Sequence, residues 1–71
     1  MISEQELKLL EIFVKKHVLN KLEIKSILNE NGGSVISSLL EKGLITKVSL
    51  LGETTYAITQ KGRKYFEEIT Q

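Results

Sequence analysis

One six-residue phrase occurs twice in the first third of the chain, and it marks where two helices must begin. Ile2-Ser3-Glu4-Gln5-Glu6-Leu7 and Leu19-Asn20-Lys21-Leu22-Glu23-Ile24 each set a small polar residue three positions before a glutamate, with an apolar residue at either end. The polar side chain can accept from a free amide of the first turn while the glutamate reaches back to the cap's own amide. The apolar pair closes over the junction as a hydrophobic staple. Beyond the first cap, Leu7, Leu9, Leu10, Ile12, Phe13 and Val14 spread over roughly 220° of a helical wheel, whereas one core-facing stripe needs about 100°. This helix has apolar surface to spare. His17 is expected to end it, where a cation suits the negative end of the helix dipole.

Ile24, Ile27 and Leu28 form the buried stripe of a short second helix, expected to stop at Asn29-Glu30-Asn31-Gly32-Gly33, where two glycines would supply left-handed conformations. Ser34 is expected to cap a third helix over residues 34–42, closed by Lys42-Gly43. Its wheel divides cleanly: Val35, Ile36, Leu39 and Leu40 on one side, Ser34, Ser37, Ser38, Glu41 and Lys42 on the other. After Gly43 the period changes to two. Residues 44–50 and 54–58 read as strands around a tight Leu51-Gly52-Glu53 turn, with Gly52 in the strained position. Thr59 then caps a last helix in which Tyr65, Phe66 and Ile69 share a face, and Gly62, one turn earlier, permits close approach to a neighbour.

The 71 residues make one small domain, 1–71, whose limited core points to association as a source of stability. The absence of cysteine excludes disulfides and thiolate metal sites, and one histidine makes no metal cage, so neither metal nor cofactor is expected. No apolar run approaches the roughly 18 residues of a bilayer span, and the N-terminus lacks the pattern of a signal peptide. A cytoplasmic protein is the expectation. Enzyme chemistry finds no support: there is no cysteine or aspartate, and Gly32-Gly33 lacks the Gly-Lys-Ser/Thr of a phosphate loop. Ten Lys and Arg against nine Glu give a formal charge of +1, unevenly spread. Residues 15–25 carry a net +3, residues 26–60 a net −1, and Lys61, Arg63 and Lys64 form a second basic cluster.

Helix, helix, helix, strand, strand, helix is an α+β plan, mainly helical with a small hairpin, in which the second and third helices form a helix-turn-helix and the hairpin 44–58 a wing. Leu39-Leu40-Glu41-Lys42-Gly43-Leu44-Ile45 resembles the end of a recognition helix running into the first wing strand of winged-helix proteins. The run from Tyr56 through Thr59-Gln60-Lys61-Gly62 to Tyr65 resembles their second wing strand and following helix. The whole is similar to small transcriptional regulators of the MarR, PadR and ArsR kind, in a bacterial, archaeal or viral-host cytosol.

That resemblance implies a sequence-specific protein for double-stranded DNA with the third helix in the major groove. Ser34, Ser37, Ser38, Glu41 and Lys42 would then face base edges, and Lys21, Lys25 and Lys47 would meet phosphates. The sequence departs from the pattern in having no arginine on that helix face and no cation in the wing tip. Phosphate affinity needs several cations, so a homodimer is expected, its seam built from Leu9, Ile12, Phe13, Tyr65, Phe66 and Ile69. The serine face equally fits a solvated surface. The alternative is a protein-interaction winged helix of a larger nucleic-acid machine, docking through Leu50 and Leu51.

Overall fold

Both capping boxes close. The computed structural model describes residues 2–28, 32–50 and 52–70, with Leu50 by its backbone alone. The Ser3 hydroxyl accepts from the Glu6 amide at 3.2 Å and the Glu6 carboxylate accepts from the Ser3 amide at 3.2 Å, opening α1 (Glu4–Lys16). At the second box, Asn20 Oδ1 accepts from the Glu23 amide at 2.8 Å and Glu23 Oε1 from the Asn20 amide at 3.1 Å, opening α2 (Lys21–Leu28). Leu19 and Ile24 of the second expected staple lie together in the buried core, and Ile2 of the first packs against that core.

Between the two helices runs a strand that the helical reading passed over, β1 (Val18–Asn20). His17 turns the chain into it with φ 73° and ψ −41°, its amide donating to Phe13 O at 2.7 Å and its carbonyl accepting from the Ile58 amide at 3.0 Å. The expected succession of helix, helix, helix, strand, strand, helix therefore gains one strand before α2.

The third helix, α3 (Gly32–Glu41), starts two residues earlier than expected. Gly32 and Gly33 are helical, so neither serves as a left-handed exit, and Ser34 sits inside the first turn instead of capping it. Asn29, Glu30 and Asn31 lie outside the described residues. Gly32 is buried where α3 meets α2, and a Cβ there would stand 3.4 Å from Ile24 Cγ2, an ordinary contact. At its other end α3 stops in a Schellman motif. The Leu44 amide returns to Leu39 O and the Gly43 amide to Leu40 O, both at 3.0 Å, with Gly43 at φ 75° and Leu39 and Leu44 buried together.

β2 (Ile45–Leu50) and β3 (Glu53–Ile58) form the hairpin, with Ile45 opposite Ile58 and Leu50 opposite Glu53, and Gly52 in the turn at φ 80°. β1 adds antiparallel to the other edge of β3, giving the sheet order β1-β3-β2. The last helix, α4 (Gln60–Ile69), lies along α1. Leu9 and Phe13, expected on a seam between two copies, are fully buried inside this chain and have no surface to offer a second one. Leu9, Leu10 and Phe13 of the apolar arc of α1 are buried against α3, the sheet and α4, whereas Leu7, Ile12 and Val14 stay half-buried. Ile12, Tyr65 and Phe66 are only half-buried, and Ile69 is exposed.

α4 docks on the end of the α3 turn through backbone groups. The Thr59 hydroxyl donates to Gly43 O at 2.7 Å and Leu44 O at 3.0 Å, the Thr59 amide donates to Leu44 O at 3.1 Å, and the same hydroxyl accepts from the Gly62 amide at 2.9 Å. Gly62 is buried against Leu44, and a Cβ there would overlap the Leu44 carbonyl oxygen and come within 2.9 Å of its carbon. Backbone on both sides leaves no flexible side chain to give way. Gly62→Ala should therefore cost about 3 kcal/mol or more, out of the roughly 4–10 kcal/mol available to a domain of this size. Gly33→Ala, whose Cβ meets nothing within 4 Å, should be neutral or stabilising by up to about 1 kcal/mol. Thermal melts of the two variants check this, and a Gly62→Ala midpoint within a few degrees of the parent refutes the packing argument.

Candidate nucleic-acid interface

The exposed side of α3 presents Gly33, Ser34, Ser37 and Glu41. Their spacing follows from the helix period: Val35, Ile36 and Leu39 are drawn into the core, which leaves the short polar residues outward. Beside them on α2, Lys21 and Lys25 lie one turn apart and exposed, and on β2 Lys47 is exposed as well. Among the described residues none of these three lysines is within ion-pair reach of an acid.

Ser38 and Lys42 behave differently from the rest of the serine face. They turn toward α1, where the Glu6 carboxylate gathers both. Ser38 Oγ donates to Glu6 Oε2 at 2.9 Å, Lys42 Nζ donates to the same oxygen at 2.6 Å, and Lys42 Nζ also donates to Ser38 Oγ at 3.1 Å. Glu6 Oε1 meanwhile holds the Ser3 amide of the capping box. Both carboxylate oxygens are thus committed, one to starting α1 and one to fastening α3 against it. Burial alone would push this carboxyl up. The Lys42 ammonium, the Ser3 amide and the Ser38 hydroxyl outweigh that and hold it at about 2, below its ordinary 4.5. The sequence marks Glu6 only as a capping residue. Its second partner depends on how α1 and α3 cross, which helical periodicity does not contain.

The other side of α3 opens into a groove of about 500 Å³. Lys21, Ile24 and Lys25 of α2 form one wall, Gly32, Gly33, Ile36, Ser37 and Leu40 of α3 the other, and Tyr56 of β3 closes the base. Tyr56 stands out as a residue that the sequence reading left unassigned. Its place becomes visible only with the sheet register, which sets it between Leu19 of β1 and Lys47 of β2.

Of the other expected site residues, Leu51 lies outside the described residues and the Leu50 side chain is likewise undescribed. The basic cluster at the start of α4 is partly engaged: Arg63 Nη2 donates to His17 Nδ1 at 2.7 Å.

A helix-turn-helix followed by an antiparallel hairpin and a closing helix, with a short strand before the first of the pair, defines a winged helix. Comparison with solved structures agrees. The chain superposes on the crystal structure of the C80S mutant of MarR from E. coli with a TM-score of 0.79 over 94% of its length, at 18% sequence identity. It spans 54% of that MarR chain. The architecture is thus a MarR-like winged helix, mixed α+β. No protein-family model matches the sequence, and no curated protein matches it. No helix among the described residues is long and apolar enough to cross a membrane.

The Glu6 cluster gives a pH dependence whose sign is fixed. A carboxyl lowered in the folded state binds fewer protons there than in the unfolded chain, so acid favours unfolding. The contribution of Glu6 is present above about pH 4.5 and lost as pH falls toward about 2. Glu6→Gln should be less stable at neutral pH and show a flatter stability profile between these limits. Urea unfolding at a series of pH values measures it, and equal slopes for parent and variant would refute the assignment.

Proposed function

We propose that the chain is a sequence-specific binder of double-stranded DNA, a transcriptional regulator working as a homodimeric single domain in the cytoplasm. In this reading α3 enters the major groove, Ser34, Ser37 and Glu41 meet base edges, the hairpin acts as wing, and Lys21, Lys25 and Lys47 contact phosphates. Ser38 and Lys42 join the interface only where DNA draws them from Glu6. The observation that carries the reading is the set of three exposed lysines, from two elements, flanking a polar helix face on a winged-helix frame. Serines reach any base as donor or acceptor, and Glu41 suits a cytosine amino group.

Three cations per copy is a modest number, which is why the reading includes two copies. Ile12, Tyr65, Phe66 and Ile69 leave partly uncovered apolar surface on α1 and α4, and these four residues are the proposed seam. The second reading, a winged helix that docks on protein, draws on Leu22, which is 76% exposed at the start of α2.

Six phosphate contacts in a dimer would give a slope of log affinity against log salt of about −5, a loss near a thousandfold between about 50 and 200 mM. Titration of duplex DNA at several salt concentrations reads this directly. Lys25→Ala should weaken all duplexes alike and lower the slope by about 1 per subunit. No binding at about 50 mM salt overturns the DNA reading and favours the protein-docking one.

Sedimentation checks the dimer independently. A two-copy species at micromolar concentration that dissociates in Ile69→Glu is expected, and a monomer at all concentrations removes the seam.

A further inference from the structure

We propose that the groove between α2, α3 and β3 seats one phosphate of the DNA backbone, with the Tyr56 hydroxyl as its neutral hydrogen-bond donor. This rests on the DNA reading above and assigns the backbone a definite place in it. The groove joins the reading helix to the wing, and its chemistry is one-sided. Lys21, Lys25 and Ser37 line it, and among the described residues no carboxylate does. Ile24, Ile36, Leu40 and the Tyr56 ring form an apolar floor that lowers the local dielectric, strengthening any charge-assisted hydrogen bond made above it. Lys47 is added from the sheet, directly opposite Tyr56 in the β2–β3 register and therefore on the same face.

Tyr56 is positioned to serve. Its cross-strand neighbour on the inner side, Leu19, is fully buried and its outer neighbour, Lys47, is exposed, so the row Leu19–Tyr56–Lys47 runs from core to solvent. The ring packs against the core. Tyr56 is half-buried, and among the described residues its hydroxyl has no hydrogen-bond partner, which leaves it available as a donor on β3.

The two sides of α3 also differ in what they can offer a phosphate strand. A major groove is walled by a backbone on each side of the inserted helix. On the α1 side, Lys42 and Ser38 are already occupied by Glu6. On the groove side, the cations are unengaged among the described residues. The strand that passes between α3 and the wing is the one this surface can hold.

The test is a comparison of the parent and Tyr56→Phe on duplexes carrying single methylphosphonate linkages, which delete one phosphate charge at a time. Tyr56→Phe should melt as the parent does, bind every unmodified duplex about tenfold more weakly, and keep the parent's salt slope, because it removes a neutral donor and no cation. At one linkage position per half-site the penalty of Tyr56→Phe should vanish, and the penalty of Lys25→Ala should shrink at the same position. A purely structural role for Tyr56 would not depend on which phosphate is neutralised. Undiminished binding by Tyr56→Phe while Lys25→Ala binds weakly overturns the seat and leaves the DNA reading standing. Absence of duplex binding by the parent overturns both.

Discussion

The carbonyl of Leu44 is the point on which the rest of the structure turns. It accepts from the Thr59 amide and the Thr59 hydroxyl, and it lies in contact with Gly62. The amide of the same residue closes the Schellman turn of α3. Four things are fixed relative to one another through one residue: the end of the third helix, the start of the first hairpin strand, the end of the second, and the first turn of α4. The contacts are main chain to main chain, apart from one threonine hydroxyl. They therefore ask little of side-chain identity beyond a glycine at positive φ, a glycine with no room for Cβ and a hydroxyl at the cap. A frame specified by so few residues can persist while most of the sequence changes. An identity of 18% with a closely superposing chain is physically reasonable on that account.

What could be read from the residues was whatever is decided within one turn of helix or one hairpin. The capping boxes at Ser3 and Asn20, the staple of Leu19 and Ile24, the turn at Gly43, the hairpin around Gly52 and the cap at Thr59 are local, and each is present. Gly62 was legible as a place of close approach because a glycine in a helix interior otherwise costs stability. Most of the failures are non-local. β1 is three residues long and overlaps a capping phrase, so its pairing with Thr55, Tyr56 and Ala57 leaves no periodic trace. The two glycines at 32 and 33 carried the signal of a helix exit, yet both lie inside α3 and neither takes a positive φ. Ser38 and Lys42 share a wheel face with Ser34 and Ser37. Only the crossing of α1 and α3 separates the pair held by Glu6 from the pair left to solvent.

His17 shows how the non-local contacts sustain a local cost. A non-glycine residue at φ 73° carries on the order of 1–3 kcal/mol of backbone strain. The chain must nevertheless leave α1 and enter β1 within one residue, because the His17 amide is bound to Phe13 O and its carbonyl to the Ile58 amide. Arg63 adds a side-chain restraint. A guanidinium can only donate, so Nδ1 is the acceptor of this contact. The cationic run at the start of α4, unfavourable to a helix N-terminus, thus has a structural use in one of its members.

The same accounting explains why a net charge of +1 misrepresents the surface. Lys15 is paired with Glu11, Lys16 with Glu23 and Lys42 with Glu6, and Arg63 is drawn to His17. The three ion pairs neutralise cations along α1 and behind α3, while Lys21 and Lys25 of α2 and Lys47 of β2 have no described partner. Exposed pairs such as Lys15–Glu11 add little to stability. Their effect is on the shape of the field, because a partnered cation attracts a phosphate less than a free one. A nearly neutral chain can therefore carry a local excess of positive charge beside the exposed face of α3. The cost of that economy is a small number of counterions released per copy, so affinity for any polyanion must depend steeply on how many copies act together.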